Sequence, residues 1–172
     1  PFPCVKLRGA VAFIALSSAV PRPPFVASGY VGRQQLEALE HLLAHPAVRQ
    51  RTPVVLIHHP PVDARPRLMQ ARDGLADAAA LRAALAPLAG GIVLFGHLHV
   101  RRRCTLSTPA GTIDVIGASG AALDHPDPAI RAGFNLYVMD DSGRLASVEA
   151  HVLDPVRGGF ETRCINHSTQ CA

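Results

Sequence analysis

The sequence predicts an α/β fold built around a sheet that is covered on both faces. Three short apolar runs, at residues 11–17, 54–57 and 92–95, have the length and composition of β-strands. Two amphipathic helical patterns separate them, and the resulting β–α–β–α–β order is typical of a sheet flanked by helices. The runs are apolar throughout rather than alternating, which indicates strands that are buried on both sides.

The elements follow one another in a regular order along the first half of the chain. Prolines and glycines between residues 18 and 32 predict a loop after the first strand. From Arg33 onward, leucines recur at three- and four-residue intervals, which predicts a helix. The proline-rich, polar residues 59–74 are interpreted as a long loop after the second strand. A second amphipathic helix is predicted over 75–88, ended by an Ala-Gly-Gly sequence before the third strand.

The second half of the chain has a different character, with short strand-like segments separated by turn sequences. This pattern predicts an antiparallel meander, followed by a disordered tail over 155–172. No linker divides the chain, so residues 1–172 are expected to form a single domain. The predicted strands of the meander are residues 100–107, 112–118, 134–139 and 145–153.

Composition narrows the possible classes of function. The chain has 172 residues, enough for one domain, and its 48% hydrophobic and 17% charged content argues against disorder. A formal net charge of +4 favours anionic ligands. Aromatic residues make up only 5% of the chain, so a stacking platform for nucleic acid is not indicated. No apolar stretch approaches the ~20 residues that cross a bilayer, and no membrane contact is expected.

The four cysteines are scattered along the chain. We interpret Cys4, Cys104, Cys164 and Cys171 as reduced thiols, which predicts a cytoplasmic location. The segment CINHSTQC, at 164–171, has some likeness to a metal knuckle. Because no matching second half occurs at zinc spacing, a structural zinc site is not expected there.

Histidines follow two of the predicted strands. His58 and His59 come directly after the second strand, while His97 and His99 follow the third. Ligands of α/β proteins collect at the carboxyl ends of strands, and neutral imidazole is a common metal ligand. In extended backbone, residues two apart project to the same side, so His97 and His99 are expected to share a cleft. A lone histidine here would be an ordinary surface residue, whereas four indicate a metal site.

These segments resemble a known family. The sequence VVLIHHPP at 54–61, followed by VLFGHLH at 93–99, is similar to the last two signature blocks of the calcineurin-like metallophosphoesterases. The flanking VAFIALSSAV and GYVGRQQLEALEHLL sequences look like the corresponding segments of bacterial members similar to cyclic-nucleotide phosphodiesterases. The resemblance covers about residues 5 to 153, which is most of the chain.

The resemblance implies a fold, an activity and a set of roles. Members of the family have two stacked mixed β-sheets between helical layers. They hydrolyse phosphomonoesters or phosphodiesters through a metal-bound hydroxide, using two divalent ions such as Mn, Fe or Zn. By position, His58 and His97 would bind one metal and His99 the other. His59 would be a substrate-facing residue, a support for the ligands or a core edge. Independently of the resemblance, the run Arg101–Arg103 is either a solvated strand or turn or, with Arg101 as the candidate, a contact to a substrate phosphate.

The sequence also departs from the family. Its first three signature blocks, an Asp-x-His, a Gly-Asp-x-x-Asp and a Gly-Asn-His followed by an acid, are absent. The chain therefore resembles the C-terminal part of such a domain without its N-terminal sheet. Asp63 and Asp124 are the nearest acids in sequence, but neither matches a family ligand. From the residues alone, no catalytic acid or base is assigned.

Two further classes of function remain to be weighed. A non-catalytic fragment or degenerate homologue would bind one metal, a phosphate or a partner chain, and exposed strand faces would favour self-association. In metallo-β-lactamase-like enzymes, the His-x-His block is followed by aspartate and histidine. Here Arg101 and Arg102 occupy those positions, which argues against that class. The expected partner of the site is thus a small phosphate ester.

Overall fold

The structure is a computed structural model that describes residues 2–165 and the backbone of 167–168. Within this part of the chain, the helices are α1 (Arg33–Ala44), α2 (Pro46–Arg49), α3 (Arg67–Asp73) and α4 (Ala78–Leu85). The strands are β1 (Cys4–Arg8), β2 (Val11–Ala15), β3 (Thr52–Ile57), β4 (Ile92–Phe95), β5 (Arg102–Thr108), β6 (Gly111–Gly117), β7 (Gly133–Met139), β8 (Leu145–Leu153), β9 (Phe160–Cys164) and β10 (His167–Ser168).

The larger sheet has parallel strands at its centre. Its order is β1-β2-β3-β4-β6-β5-β10, and the pairs β2–β3, β3–β4 and β4–β6 are all parallel. The strands β1 and β5 are added antiparallel to their neighbours β2 and β6. In the central register, Ile57 of β3 lies opposite Phe95 of β4. The carboxyl ends of β2, β3 and β4 therefore lie along one edge of the sheet.

Both faces of this sheet are covered, which explains its continuous apolar strands. Leu36, Leu39 and Leu43 of α1 share one helix face because of their spacing, and that face packs with α4 against one side of the sheet. The other side packs against the second sheet, which has the order β7-β8-β9, through residues such as Val54 and Tyr137. The molecule is thus an α/β protein with a mixed sheet, an antiparallel sheet and a helical layer.

The expected meander is corrected by the structure. The hairpin β5–β6 belongs to the larger sheet, where β6 runs parallel to β4, while β7 and β8 pair in the second sheet. The segments have the predicted strand character, but they form two hairpins in two sheets. A local pattern of strands and turns does not contain the pairing partner, which is chosen by packing between distant segments.

Four elements, namely α3, β1, β9 and the two-residue β10, lie where the sequence predicted none. The helix α3 falls in the predicted loop, and β1 pairs with β2 through a tight turn at Gly9, whose φ is 50°. The strand β9 lies in the predicted tail and pairs with β8, so the tail is not disordered over Phe160–Cys164. All residues of β1 and β9 are exposed, which explains why no apolar pattern marked them.

The cysteines do not all match the expectation. Cys104 is disulfide-bonded, so the interpretation of four reduced thiols is wrong at this position. Cys4 and Cys164 carry exposed thiols. The cytoplasmic location stays a prediction, and the disulfide at Cys104 counts against it. Most of the candidate metal knuckle at 164–171 lies outside the described residues.

None of the helices in the described ranges has the length and apolar character needed to cross a membrane.

The second sheet presents an apolar outer face. Phe134, Leu136 and Val138 alternate along β7 and are 49%, 45% and 43% exposed. Phe134 stacks on His151 and contacts Phe160 edge-on, so the aromatic side chains extend this face across all three strands. A contiguous exposed apolar patch favours association with another surface.

We predict that the protein self-associates through this face and that Leu136→Lys reduces the association. The new ammonium would lie opposite Glu149 on β8, a cross-strand pair that the sheet tolerates. The matched control is Leu68→Lys, at an isolated α3 side chain that is 83% exposed. Sedimentation velocity measures the outcome. A wild-type protein that stays monomeric at high concentration would contradict the prediction.

Candidate metal centre

Three neighbouring strands deliver polar side chains to the same edge of the larger sheet. Ser18 follows β2, the pair His58 and His59 follows β3, and His97 follows β4. Since β2, β3 and β4 run parallel, their carboxyl ends meet at this edge. His58, His59 and His97 each contribute one ring nitrogen to a group of three nitrogens, and these three atoms all lie within 4.8 Å of one another.

Ring nitrogens of His58 and His97 face each other, while the two rings are nearly perpendicular, with an interplanar angle of 76°. Nε2 of His58 and Nδ1 of His97 are 3.2 Å apart. At a zinc–nitrogen distance of about 2.05 Å, this separation subtends an angle of about 100° at a common ion, between the octahedral and tetrahedral values. The separation therefore suits two nitrogens that share one divalent ion, and in the absence of an ion it is the distance of a hydrogen bond between the two rings.

The backbone around His97 is unusual for a residue that is not glycine. His97 and His99 both have φ of 50°, in the left-handed region. The Leu98 N–H donates to the Gly96 carbonyl over 2.5 Å, which closes a three-residue turn centred on His97. The expectation of extended backbone from 97 to 99 is thus wrong. Strained backbone of this kind is concentrated at functional sites, because surrounding contacts must hold it.

His99 lies apart from the facing pair. Its ring is not one of the three within 4.8 Å of one another, and its side chain is exposed. It is still near enough that its charge acts on the pKa of His58. The structure therefore brings His58 and His97 together, as the strand ends predicted, and leaves His99 at the rim of the cleft.

His59 is a buried support rather than an open ligand or a substrate contact. It is 5% exposed, and its Nε2 donates a hydrogen bond to the Ala27 carbonyl over 2.8 Å. That donation leaves Nδ1 as the acceptor, and the Ser18 hydroxyl donates to it over 2.8 Å. Both nitrogens are thus engaged, so His59 has no lone pair for a metal. Of the three expected roles, a support for the ligands agrees best with this burial and with the engagement of both nitrogens.

The His59 ring also supports His97 and constrains the loop beneath it. Its centroid lies 4.2 Å from that of His97 in a tilted arrangement. A Cβ added at Gly29 would lie 2.3 Å from Nδ1 of His59, which is too close for any side chain. Glycine is therefore required at position 29 if the ring is to keep this place.

The pKa values of the facing histidines favour ligation. Burial is the largest cause that lowers the pKa of His58, and the charges of His59 and His99 lower it further. Burial likewise lowers the pKa of His97, although the backbone and carboxylate of Asp73 act in the opposite direction. Both rings are therefore neutral at neutral pH, which is the state that binds a metal.

Arg101 does not contact the cleft, which corrects its expected role. Its side chain is 6% exposed, and Nη1 donates to the carbonyls of Pro128 and Arg131 over 2.9 Å and 2.5 Å. The backbone N–H of Arg101 donates to the Ala129 carbonyl. Arg101 thus fastens the loop before β7 and is not available to a phosphate in the cleft.

The acids nearest in sequence are not those nearest in space. Asp63 accepts hydrogen bonds from the side chain of Arg65 at 2.6–3.1 Å, and Asp124 is exposed and absent from the histidine group. Asp73, at the end of α3, is the acid that acts on His97. Asp73 could not have been assigned to the site from the sequence, because its spacing from the histidines follows no recognisable motif. Ser18 could have been noticed, because it too follows a predicted strand.

No protein-family model and no curated protein matches this chain. The features of the molecule that bear on its function are therefore the α/β architecture and the histidine geometry.

We predict that Ser18→Ala destabilises the protein by about 1–3 kcal/mol, since it leaves the buried Nδ1 of His59 without its donor. The matched control is Ser17→Ala, the neighbouring serine, whose backbone N–H is bonded to Gln35. Urea denaturation of both variants measures the difference. Equal stabilities would show that the Ser18–His59 hydrogen bond contributes nothing.

Proposed function

We propose that this protein is a metal-dependent phosphoesterase domain, similar to the C-terminal part of the calcineurin-like metallophosphoesterases. The observation that carries the proposal is the 3.2 Å approach of His58 Nε2 and His97 Nδ1. The two residues come from a His-x-Pro and a Gly-His-x-His sequence at the carboxyl ends of adjacent strands. Two stacked sheets with a helical layer are compatible with the fold of that family.

The residues of the cleft have distinct roles under this proposal. His58 and His97 hold a divalent ion through neutral imidazole nitrogens, and buried His59 keeps the His97 ring in place. A divalent ion held there would supply Lewis-acid polarisation of a phosphoryl oxygen and an activated water near neutral pH. His99 lies at the rim of the cleft. Its place in the Gly-His-x-His sequence matches the residue that binds the other metal ion in the family.

The described residues do not fit a two-metal centre. Two dications about 3.5 Å apart repel by about 19 kcal/mol at an effective dielectric of about 20, as an upper illustration from Coulomb's law. A bridging carboxylate normally offsets this repulsion, and no carboxylate joins the histidine group in the described part of the chain. The proposed centre therefore holds one ion.

A second candidate function is that of a non-catalytic fragment or degenerate homologue that binds one metal, a phosphate or a partner chain. Its support is the absence from the sequence of the acid-bearing blocks of the family. The two candidates share the histidine pair and differ in turnover, so metal binding and hydrolysis must be measured on the same sample.

We predict that the protein binds one Zn²⁺ or Mn²⁺ per chain and that His97→Ala removes this binding. His41→Ala, at an exposed histidine of α1, is the matched control and leaves binding unchanged. The affinity falls as pH falls below about 6.5, because protonated imidazole cannot ligate and burial keeps both rings neutral above that range. Titration calorimetry at several pH values measures stoichiometry and affinity. Two tight ions per chain, or binding that survives His97→Ala, would refute the arrangement.

We predict that hydrolysis of a chromogenic phosphodiester by this chain is close to background, since half of the family's metal ligands are missing from its sequence. The assay is run with and without added Mn²⁺, beside His97→Ala. Metal-dependent turnover that His97→Ala abolishes would show a complete enzyme and would exclude the non-catalytic candidate. Absence of turnover with intact metal binding is the expected result, since this chain carries only the histidine half of the family's ligands.

A further inference from the structure

A cavity of about 840 Å³ lies at the opposite edge of the larger sheet from the histidines. The amino-terminal residues of β3 and β4, Thr52 and Ile92, form its floor. Its walls come from α1 and α2, from the segment that follows α4, and from the turn between β7 and β8. The cavity is therefore independent of the histidine cleft, although both are built on the same two strands.

The charges around the cavity are unbalanced in favour of arginine. Its lining includes Arg49, Arg51 and Arg144 against the acids Glu40 and Asp114. Asp114 is already engaged, because its carboxylate accepts a hydrogen bond from the guanidinium of a neighbouring β5 arginine over 2.7 Å. The cavity thus has an excess of positive charge.

The three arginines are not equivalent. Arg51 donates from Nε to the Gly9 carbonyl over 3.0 Å and from Nη1 to the Ala47 carbonyl over 2.6 Å, so it holds the wall together. Arg49 is exposed, and Arg144 makes a pair with Asp140 at 3.3 Å that is open to solvent. An exposed pair of this kind is worth little and exchanges readily. Arg49 and Arg144 are therefore the groups that remain available to a ligand.

The remainder of the lining is largely apolar. Leucine side chains from α1, from the segment after α4 and from the start of β8 face the cavity together with β-branched residues, and the volume is typical of a small-molecule site. Leu43, Val48, Leu88, Ile92 and Leu145 are the main apolar contributors. An apolar wall with a few placed charges is suited to a ligand that has an apolar body and one acidic group.

We propose that this cavity binds a small organic anion, with its apolar body against Leu88 and Ile92 and its acidic group toward Arg49 and Arg144. Planar guanidinium groups pair with carboxylate and phosphate oxygens in a fork, which suits either headgroup. The site goes beyond the phosphoesterase function, because it shares no residue with the histidine cleft and needs no metal.

The test uses octanoate and octylphosphonate as anionic probes on the full chain in the presence of EDTA. Octanol and octylammonium, which have the same tail, serve as the neutral and cationic comparisons. Methyl resonances of Leu88 and Ile92 report on the cavity, and those of Leu136 and Val138 report on the exposed face of the second sheet. We expect saturable shifts of the cavity methyls with an anion and much smaller shifts with octylammonium.

The double variant Arg49→Gln/Arg144→Gln is expected to weaken anion binding by about fivefold to tenfold, equivalent to about 1–1.4 kcal/mol. Arg33→Gln, at an exposed arginine that pairs with Glu37 on α1, is the matched control and leaves the affinity unchanged. A thermal melt of each variant verifies that it is folded. The two anions separate a carboxylate from a phosphate preference.

Three results would overturn the proposal. Equal binding of octylammonium and octanoate would show an apolar groove without preference for anions. Shifts at Leu136 and Val138 without shifts at Leu88 would place the probe on the second sheet. An unchanged affinity in the folded double variant would show that Arg49 and Arg144 do not contact the anion. Loss of phosphodiester turnover or of metal binding has no bearing on these outcomes.

Discussion

Parallel pairing of β3 with β4 is the constraint on which the rest of the structure depends. It aligns Ile57 with Phe95, so that His58, one residue beyond Ile57, and His97, two residues beyond Phe95, leave their strands at the same edge. The Gly96 N–H then donates to the His58 carbonyl over 3.1 Å, which continues the pairing beyond both strands. A register shift of one residue would reverse the faces of an entire strand and separate the two imidazoles.

The loop after β3 is held in place by side chains that donate to its carbonyl groups. Arg82 donates to Pro61, Arg102 to Val62 and Gln70 to Asp63, at 2.8 Å, 3.0 Å and 2.9 Å. These contacts come from α4, β5 and α3, so three separate elements fix one proline-rich segment. Such anchoring allows a loop to present His58 in a defined position and to support the strained backbone opposite it.

Much of the architecture could be predicted from periodicity. The central strands and α1 are at the predicted positions, because burial on two faces or on one helix face leaves a local pattern. The exposed strands β1 and β9 leave no such pattern, and they are held by backbone hydrogen bonds to β2 and β8. Likewise, the hairpins of the second half could be recognised as strands but not assigned to sheets. The helix α3 was missed because none of its residues is buried.

The sequence by itself determined that histidines stand at the ends of two neighbouring buried strands, and parallel strands then had to deliver them to one edge. Only the tertiary structure decided which nitrogens face each other, and it did so through contacts between segments far apart in the chain. Ser18 and Ala27 form hydrogen bonds with the two nitrogens of His59. The buried Arg101 donates to a carbonyl group of a loop that is distant in sequence, and α3 places Asp73 near His97. Each of these contacts depends on packing between segments that are far apart in the sequence, and a local sequence pattern carries no information about such packing.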